Sequence, residues 1–411
     1  MGRRVDDTEP ASGTPSLWSV LGQVLYIGTI GYGGPTTLTY LRAIFVAERG
    51  WLSEEEFLEA MSLAQILPGS TGVTAMSYVG YRRYGYLGAV VFPLVFLAPS
   101  IAAILVLSWA YFTFGHLGFV QPLFAGLGAL VVALLLTATL SLGAAVFTGS
   151  RASVVLGPLI ATVAFTGSLV FRVNLVWLVL GSGVLGIVLF WKRIGADAGT
   201  VDAGDVAVLV QHNEPSVSPA RFVPLIVTAA LVAAALAAPE TRVLFLSFFQ
   251  VGLLAFGGGF ASVALLQHVV VDQMGWLTFT QFRDGIALGQ VTPGPMLITA
   301  GFVGYKVSGV WGLLAATFGI FLPPAVVIVL VADLHDRFKR NRVVQAVVRG
   351  FQSGFIGLVA AITIQFGVGS LVSWQTWLIF LGSFALVWWF KRSAGWAIVG
   401  TVVFALVFIR P

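Results

Sequence analysis

Residues 53–71 read SEEEFLEAMSLAQILPGST, and residues 278–296 read TFTQFRDGIALGQVTPGPM. Each stretch opens with Ser or Thr followed three positions later by Glu or Gln, which is the capping-box pattern that marks a helix start. Each predicted helix runs for about 13 residues before it reaches Pro-Gly, a length of roughly 20 Å at 1.5 Å per residue. Such a helix is too short to cross a bilayer alone, so both stretches predict a half-helix that ends in or near the membrane.

The functional prediction rests on the Pro-Gly pairs. Because proline breaks the helix, a second half-helix begins near Ser70 or Pro295 with unsatisfied backbone N–H groups. Such a start favours anions, since the amides and the positive end of the helix dipole converge there. An isolated Pro-Gly pair is more often a simple interfacial turn, and its recurrence favours a site. The predicted substrate-binding residues are Gly33, Gly34, Gln65, Pro68, Gly69, Ser70, Thr71, Gly257, Gly258, Gln290, Thr292, Pro293, Gly294 and Pro295.

Both stretches belong to a longer internal repeat. The first copy carries Gly33-Gly34, Gly50-Trp51-Leu52, Phe57, Gln65 and Pro68-Gly69, which match Gly257-Gly258, Gly275-Trp276-Leu277, Phe282, Gln290 and Pro293-Gly294. Downstream, Gly80, Gly85, Gly88 and Pro99 match Gly304, Gly309, Gly312 and Pro323 at identical mutual spacings. Internal duplication in a chain with many apolar segments is typical of transporters.

Composition places the chain in a membrane. It is 58% hydrophobic and 9% charged over 411 residues, whereas soluble domains carry about 25% charged residues. The absence of cysteine excludes disulfides, thiolate metal sites and a cysteine nucleophile. Basic residues lie singly or in short clusters between apolar runs, which indicates topology signals rather than a nucleic-acid surface.

Apolar runs near 20 residues predict about 13 transmembrane helices. They lie at 17–44, 61–80, 86–112, 119–147, 152–170, 173–191, 222–238, 243–270, 283–304, 308–332, 343–369, 374–390 and 394–410. The predicted organisation is a cytoplasmic N-terminal tail (1–16) without a removable signal peptide, a first repeat (17–191), a polar linker loop (192–221), a connecting transmembrane helix (222–238) and a second, inverted repeat (243–410). The fold class is therefore an all-α integral membrane protein of two homologous inverted-topology repeats, with broken or half helices at the Gly-Gly and Pro-Gly motifs.

Charge placement predicts the inversion. In the first half, basic residues follow the second, fourth and sixth predicted spans, and the loop 113–118 has none. In the second half, the loop equivalent to 113–118 holds Arg337, Lys339, Arg340 and Arg342, and the next loop, 370–376, is uncharged. Under the positive-inside rule the halves then have opposite orientations, with a cytoplasmic N-terminus and an external C-terminus. Arg172 and Lys306 fall on the outside in this arrangement.

The glycine motifs and the two glutamines each have two interpretations of equal weight. The glycine motifs 31–35 and 256–259 either unwind the first helix of each half so that amides face a ligand, or let helices pack closely. Gln65 and Gln290 precede the breaks by three residues, where an amide donates to an oxyanion or stabilises freed carbonyls. Thr292 has Leu67 as its counterpart, so the predicted site is asymmetric.

Ionisable residues supply candidates for coupling and attraction. Glu59 and Asp284 occupy matched positions on the short helices and are candidates for proton coupling, although a solvated acid near the helix start is the favoured interpretation. Arg42, Arg82 and Lys306 are candidates for attracting an anion, against the ordinary role of basic residues as snorkelling anchors. The four histidines lack metal-ligand spacing, so no metal and no cofactor are predicted.

The motifs resemble those of a known family. Tyr32-Gly33-Gly34-Pro35, Gly50-Trp51-Leu52 and Gln65-Ile66-Leu67-Pro68-Gly69, together with their second copies, resemble the long-chain, two-domain members of the chromate ion transporter family over nearly the whole chain. The resemblance implies export of chromate from the cytoplasm, with sulfate as a related oxyanion, driven by the proton gradient. Ser70 stands where the family pattern has the last proline of Pro-Gly-Pro, Tyr32 where it has phenylalanine, and Pro324 where a glycine is expected.

The predicted function is that of a secondary active transporter, an antiporter of the kind that gives chromate resistance, in the inner, cytoplasmic membrane. The alternative is a channel or an uptake transporter for sulfate or another small anion. An enzyme is not predicted, because no paired carboxylates, nucleophile-base set or metal cluster falls at matched membrane depth. The expected partners are a small inorganic oxyanion, protons and the lipid bilayer, without nucleic acid. A homodimer is left open, since the sequence carries no evidence on oligomeric state.

Overall fold

The computed structural model describes residues 17–115, 117–118, 120–148, 151–191, 233, 236–256, 258–260, 262–332 and 341–409. Regular structure in these ranges is helical apart from one isolated bridge, which confirms the all-α prediction. The expected tail 1–16, the linker 192–221, most of 222–238 and Gly257 lie outside the described residues.

The helices follow the predicted series, with interruptions at the motifs. The first half contains α1 Leu17–Ile30, α2 Gly33–Leu41 with a π-helical continuation Arg42–Glu48, α3 Glu54–Ile66, α4 Thr71–Phe114, α5 Val120–Val146, α6 Arg151–Leu169 and α7 Leu175–Phe190. The second half contains α8 Pro239–Leu254, α9 Val263–Gln267 with a π-helical continuation His268–Gln273, α10 Phe279–Val291, a 3-10 turn Met296–Ile298, α11 Thr299–Ala332, α12 Arg342–Ser370, α13 Trp374–Trp388 and α14 Ala394–Phe408.

The two capping boxes form as predicted. The Ser53 hydroxyl accepts from the Glu56 amide at 3.1 Å, and the Thr278 hydroxyl accepts from the Gln281 amide at 3.2 Å. The helices α3 and α10 that begin there are each 13 residues long. Both stop before Pro-Gly, so the apolar runs 61–80 and 283–304 are interrupted where the half-helix prediction puts the break. The reason is that proline and a following glycine in the left-handed region do not continue an α-helix.

The helices α4 and α11 are folded back on themselves. Gly85 has φ +62° and Gly309 has φ +57°, so each helix has a sharp bend at an equivalent place. Gly80 and Gly88, on either side of the first bend, face each other so closely that neither has room for a Cβ atom. Residues eight apart in a straight helix would be about 12 Å apart at 1.5 Å per residue. Each helix is therefore a hairpin with a short arm, 71–83 or 299–307, and a long arm.

Packing and surface both indicate a membrane protein. Within the described residues four helices are long and apolar enough to cross a membrane, Thr71–Phe114, Val120–Val146, Met296–Ile328 and Arg342–Ser370. In the interior α11 packs against α8 and α4, while α12 packs against α5, α6 and α7. Large apolar side chains such as Trp177 and Val188 stay exposed, which suits contact with lipid. The chain is thus a multi-pass integral membrane protein, and the total of about 13 spans stays a prediction.

Candidate functional site

Each Pro-Gly break is tied to the glycine motif of the opposite half. The Gly69 amide donates to the Ala255 carbonyl at 2.8 Å, and the Gly294 amide donates to the Gly31 carbonyl at 2.6 Å. Gly31 and Ala255 are equivalent, because each lies two residues before its Gly-Gly pair. The same contact is therefore made twice with the halves exchanged. It brings the interrupted segments 31–34, 68–71 and 293–296 together in one place with the described residues of the second glycine motif, 255, 256, 258 and 259.

The surroundings of the two break glycines are matched in position but different in chemistry. Gly69 has φ +110° and its missing Cβ would collide with the Pro324 ring, while Gly294 has φ +98° and its missing Cβ would collide with the Ser100 hydroxyl. Ser100 follows Pro99 as Pro324 follows Pro323. The buried Ser100 hydroxyl also donates to the Pro293 carbonyl at 2.7 Å. Proline cannot make such a bond, so only the second break has this tie.

At the breaks, the glycine amides are bonded within the protein, and the free donors lie at the start of the helix that follows. Because Gly69 and Gly294 already donate to carbonyls, their N–H groups are used within the protein. The first backbone hydrogen bond after the first break runs from Thr74 to Ser70, at 2.9 Å, which leaves the amides of residues 71–73 without intrahelical partners. In the second half Pro295 has no N–H and a 3-10 turn tightens the start of α11. The first break therefore offers more free donors.

Hydroxyl groups reinforce that asymmetry. Ser70 is buried and makes no capping hydrogen bond at the start of α4. The Thr71 hydroxyl lies 3.9 Å from the position that a Cβ of Gly258 would occupy, so it faces the glycine motif of the other half. The Thr292 hydroxyl instead donates to the Gly289 carbonyl of its own helix at 2.8 Å. Ser70 and Thr71 thus remain as donors, and Thr292 is engaged in its own helix.

The two glutamines flank the breaks, and their side-chain amides make no hydrogen bond within the described part of the chain. Gln65 is exposed and Gln290 is half-buried. No hydrogen bond joins either side-chain amide to another residue that the structure describes. The structural alternative, in which they stabilise freed carbonyls, is therefore not seen among these residues.

The glycine motifs contain interruptions, which favours the first of their two alternatives. Between α1 and α2 the chain is non-helical at Gly31 and Tyr32, and α2 begins at Gly33 and Gly34. The close helix packing that was the other alternative is made by different glycines. Gly28 lies against the Phe96 backbone, and Gly252 lies in the equivalent place against the backbone of α11.

The basic candidates lie away from the breaks. Arg42 forms a 2.8 Å ion pair with Glu54 in which both side chains are largely exposed. The guanidinium of Arg82 lies over the Tyr78 ring at 5.9 Å, and the exposed Lys306 ammonium lies over an aromatic ring at 5.1 Å. Arg82 is about 16 Å from the start of its short arm at 1.5 Å per residue. These contacts fit anchors at helix ends better than ligands of a central anion.

The two matched acids have different environments. Glu59 is half-buried on α3. Asp284 is 4% exposed, and it accepts from the Tyr111 hydroxyl at 2.9 Å and from Arg283 at 3.0 Å. The favoured expectation of a solvated acid is therefore wrong for Asp284. Arg283 was not among the predicted site residues, although an arginine beside a matched acid in an apolar helix is a usable signal.

Within the described residues no cluster of three or more potential metal ligands is found. An all-α interior, helices able to cross a bilayer and backbone breaks buried between two halves define the class, which is a multi-pass membrane protein with discontinuous helices. The family follows from comparison with known proteins. The family described as "Chromate transporter" matches residues 18–187 and 242–407, and the chain belongs to this family.

Curated relatives span nearly the full length of the chain. A probable chromate transport protein of Synechococcus elongatus is 31% identical over 381 residues, which are 90% of this chain and 89% of the relative. A chromate transport protein of Cupriavidus metallidurans is 30% identical over 96% of this chain and 95% of its own length. An uncharacterized transporter of Methanocaldococcus jannaschii is 29% identical over 91% and 90%. No solved structure matches the chain significantly.

Proposed function

We propose that this protein is a secondary active transporter that exports chromate across the cytoplasmic membrane, driven by the proton gradient. Sulfate is the related oxyanion that we expect to compete. The family and the names of its long relatives support chromate as the substrate. The pair of crossed hydrogen bonds, from Gly69 to Ala255 and from Gly294 to Gly31, carries the proposal that the substrate binds between the two halves.

The bound anion sits where the four interrupted segments meet. Its donors are the free amides at the start of the short arm 71–83, the hydroxyls of Ser70 and Thr71, and the side-chain amides of Gln65 and Gln290. A tetrahedral dianion suits this set, because amides and hydroxyls donate hydrogen bonds without requiring a fixed counter-charge. Chromate and sulfate present the same shape and charge to such donors, so we expect the site to separate them poorly.

The two halves are an ancestral duplication inserted in opposite orientations, with boundaries at 17–191 and 243–410. Three features that occur once in each half support the duplication: the capping boxes, the left-handed glycines at the breaks and the hairpin bends at Gly85 and Gly309. The opposite orientation is supported by the inverted distribution of basic residues in the loops. In such folds the substrate site lies near the midplane, at the interface of the repeats.

Transport by purified protein in proteoliposomes tests this function. Labelled chromate inside and outside, with equal pH on both sides, should exchange through the protein, and sulfate should compete. An imposed pH gradient should then drive net accumulation. No exchange of either oxyanion would reject the substrate class. A conductance that needs no coupling ion and saturates weakly would favour the channel alternative.

A further inference from the structure

A buried charge cluster lies where α10 meets α4, α5 and α12. Arg283 holds one carboxylate oxygen of Asp284 with Nη2 at 3.0 Å and Nε at 3.2 Å. Tyr111 of α4 donates to the other carboxylate oxygen at 2.9 Å. Arg283 also donates to the Gly369 carbonyl at 3.3 Å and to the Ser370 hydroxyl at 3.4 Å, at the end of α12. Asp284 and Arg283 are only 4% and 9% exposed.

The repeated fold does not require this ion pair. At the matched positions of α3 the first half has Leu58 and Glu59, and Leu58 is 57% exposed. A half-helix of the same length, with the same cap and the same break, is thus built without the arginine. Taking two charges out of water carries a large desolvation penalty, which their mutual attraction has to offset. A buried pair that the fold can omit is therefore a candidate for a functional role, as ionisable groups inside membrane proteins generally are.

The cluster also joins the two halves. Tyr111 belongs to the long arm of α4 in the first half, and Asp284 belongs to the second half. The Tyr111 ring is held in place by edge contacts with Phe124 at 4.9 Å and with Phe302 at 5.2 Å between ring centroids. A change in the charge of Asp284 would therefore act directly on a contact between the halves.

Other charged groups near α10 are engaged elsewhere. The Lys306 ammonium of α11 lies over the Phe112 ring, and Tyr305 stacks with the same ring. His268 on the preceding π-helix lies 3.5 Å from Asp272. Helix α5 carries no titratable side chain. Among the described residues, Arg283 and Tyr111 are thus the charged or titratable groups that contact the Asp284 carboxylate.

We infer that Asp284 is the group that carries the driving proton, and that Arg283 and Tyr111 are the positioning residues that hold its ionised form. The inference rests on the proposed transport function. An incoming proton bonds to a carboxylate oxygen and gives a neutral acid, while Arg283 stays charged and keeps its bonds to Gly369 and Ser370. The attraction across the cluster then falls, so the halves can separate there. When the halves return, the proton leaves Asp284 to the opposite side and the ion pair forms again.

The test separates exchange from proton-driven accumulation in proteoliposomes. Asp284→Asn keeps the size of the side chain and removes the titration, so we expect chromate exchange at equal pH to remain and stimulation by a pH gradient to be lost. Asp284→Glu keeps a carboxylate and should retain stimulation. Glu55→Gln, an exposed acid on α3, is the matched control and should behave as the wild type in both assays.

Each outcome decides the inference. Undiminished stimulation in Asp284→Asn would overturn it, and so would loss of both activities in a folded protein, which would make the residue structural or substrate-binding. Failure of exchange in the wild type would instead reject the proposed function itself. If Asp284→Asn does not fold, Tyr111→Phe serves, because losing a donor to the ionised acid should move the pH profile of transport to higher pH. An unchanged profile in Tyr111→Phe would contradict the inference.

Discussion

Replacing Gly294 by alanine perturbs the second break at its most confined point. Gly294 has φ +98°, a region that L-residues rarely adopt, and a Cβ there would collide with the Ser100 hydroxyl. Holding an alanine in this left-handed backbone conformation costs about 1–2 kcal/mol. Forcing its extra methyl group into a packed site costs about 1–3 kcal/mol. The sum predicts a loss of about 2–5 kcal/mol in the free energy of unfolding, together with loss of chromate exchange, because the crossed bond to Gly31 cannot keep its geometry.

Three companion variants separate the two contributions. Gly50→Ala is the matched control: Gly50 has φ +59° with open space around its missing Cβ, so it should lose only about the 1–2 kcal/mol of the backbone term and keep exchange activity. Ser100→Ala alone should cost about 1 kcal/mol through its hydrogen bond to Pro293. The double variant Ser100→Ala with Gly294→Ala should lose less free energy of unfolding than the two single variants lose together. The reason is that the Ser100 oxygen, with which the new Cβ would collide, has been removed.

Equilibrium unfolding in detergent gives the stabilities, and exchange of labelled chromate in proteoliposomes gives the activity. A collision at Gly294 is refuted if Gly294→Ala is no less stable than Gly50→Ala and exchanges chromate at the wild-type rate. It is also refuted if the double variant shows simple additivity, because the collision with Ser100 would then not be the source of the instability.

Three other substitutions probe the rest of the site and its supports. Gln65→Ala should weaken the apparent affinity for chromate, measured as the half-saturating concentration in exchange. The unfolding midpoint should stay unchanged, because the Gln65 side-chain amide makes no hydrogen bond to a described residue. An unchanged affinity would show that Gln65 is not part of the site. Arg42→Ala breaks an exposed ion pair worth at most about 1 kcal/mol and should leave exchange intact, and a strong loss of exchange would show that Arg42 attracts the anion. Ser53→Ala removes a helix cap and should lower stability by about 1 kcal/mol in the same unfolding assay, with Glu55→Gln as the control expected to show no comparable loss.

Local chemistry made the half-helices predictable from sequence. A capping box fixes where a helix starts and Pro-Gly fixes where it stops, so α3 and α10 were predicted with their lengths. The hairpin bends at Gly85 and Gly309 were not predicted, although both glycines were recognised as matched positions. A glycine pattern does not distinguish close packing from a left-handed backbone, since both need the absence of a side chain.

The sequence could not predict which backbone amides at the Pro-Gly breaks stay free to bind an anion. A helix broken at Pro-Gly leaves donors, but which of them stay free depends on carbonyls more than 180 residues away, as the bond from Gly69 to Ala255 shows. Likewise, the solvent exposure of Asp284 depends on Tyr111, which reaches it from the other half. The sequence therefore predicted where the helices break, whereas long-range contacts decide which amides at the breaks stay free and how deeply Asp284 is buried.

The crossed hydrogen bonds constrain how the two halves can move. Each break glycine is held by a carbonyl of the other half, so neither break can shift without pulling the opposite glycine motif with it. The cluster at Asp284 is a separate contact between the halves, carried by side chains at the far end of the α4 hairpin. If the halves rock against each other, the pair of backbone bonds is the natural axis, and the side-chain cluster is the contact that opens and closes. An anion bound at the axis would then change its exposure while its donors stay in place, which is the condition for alternating access around a fixed site.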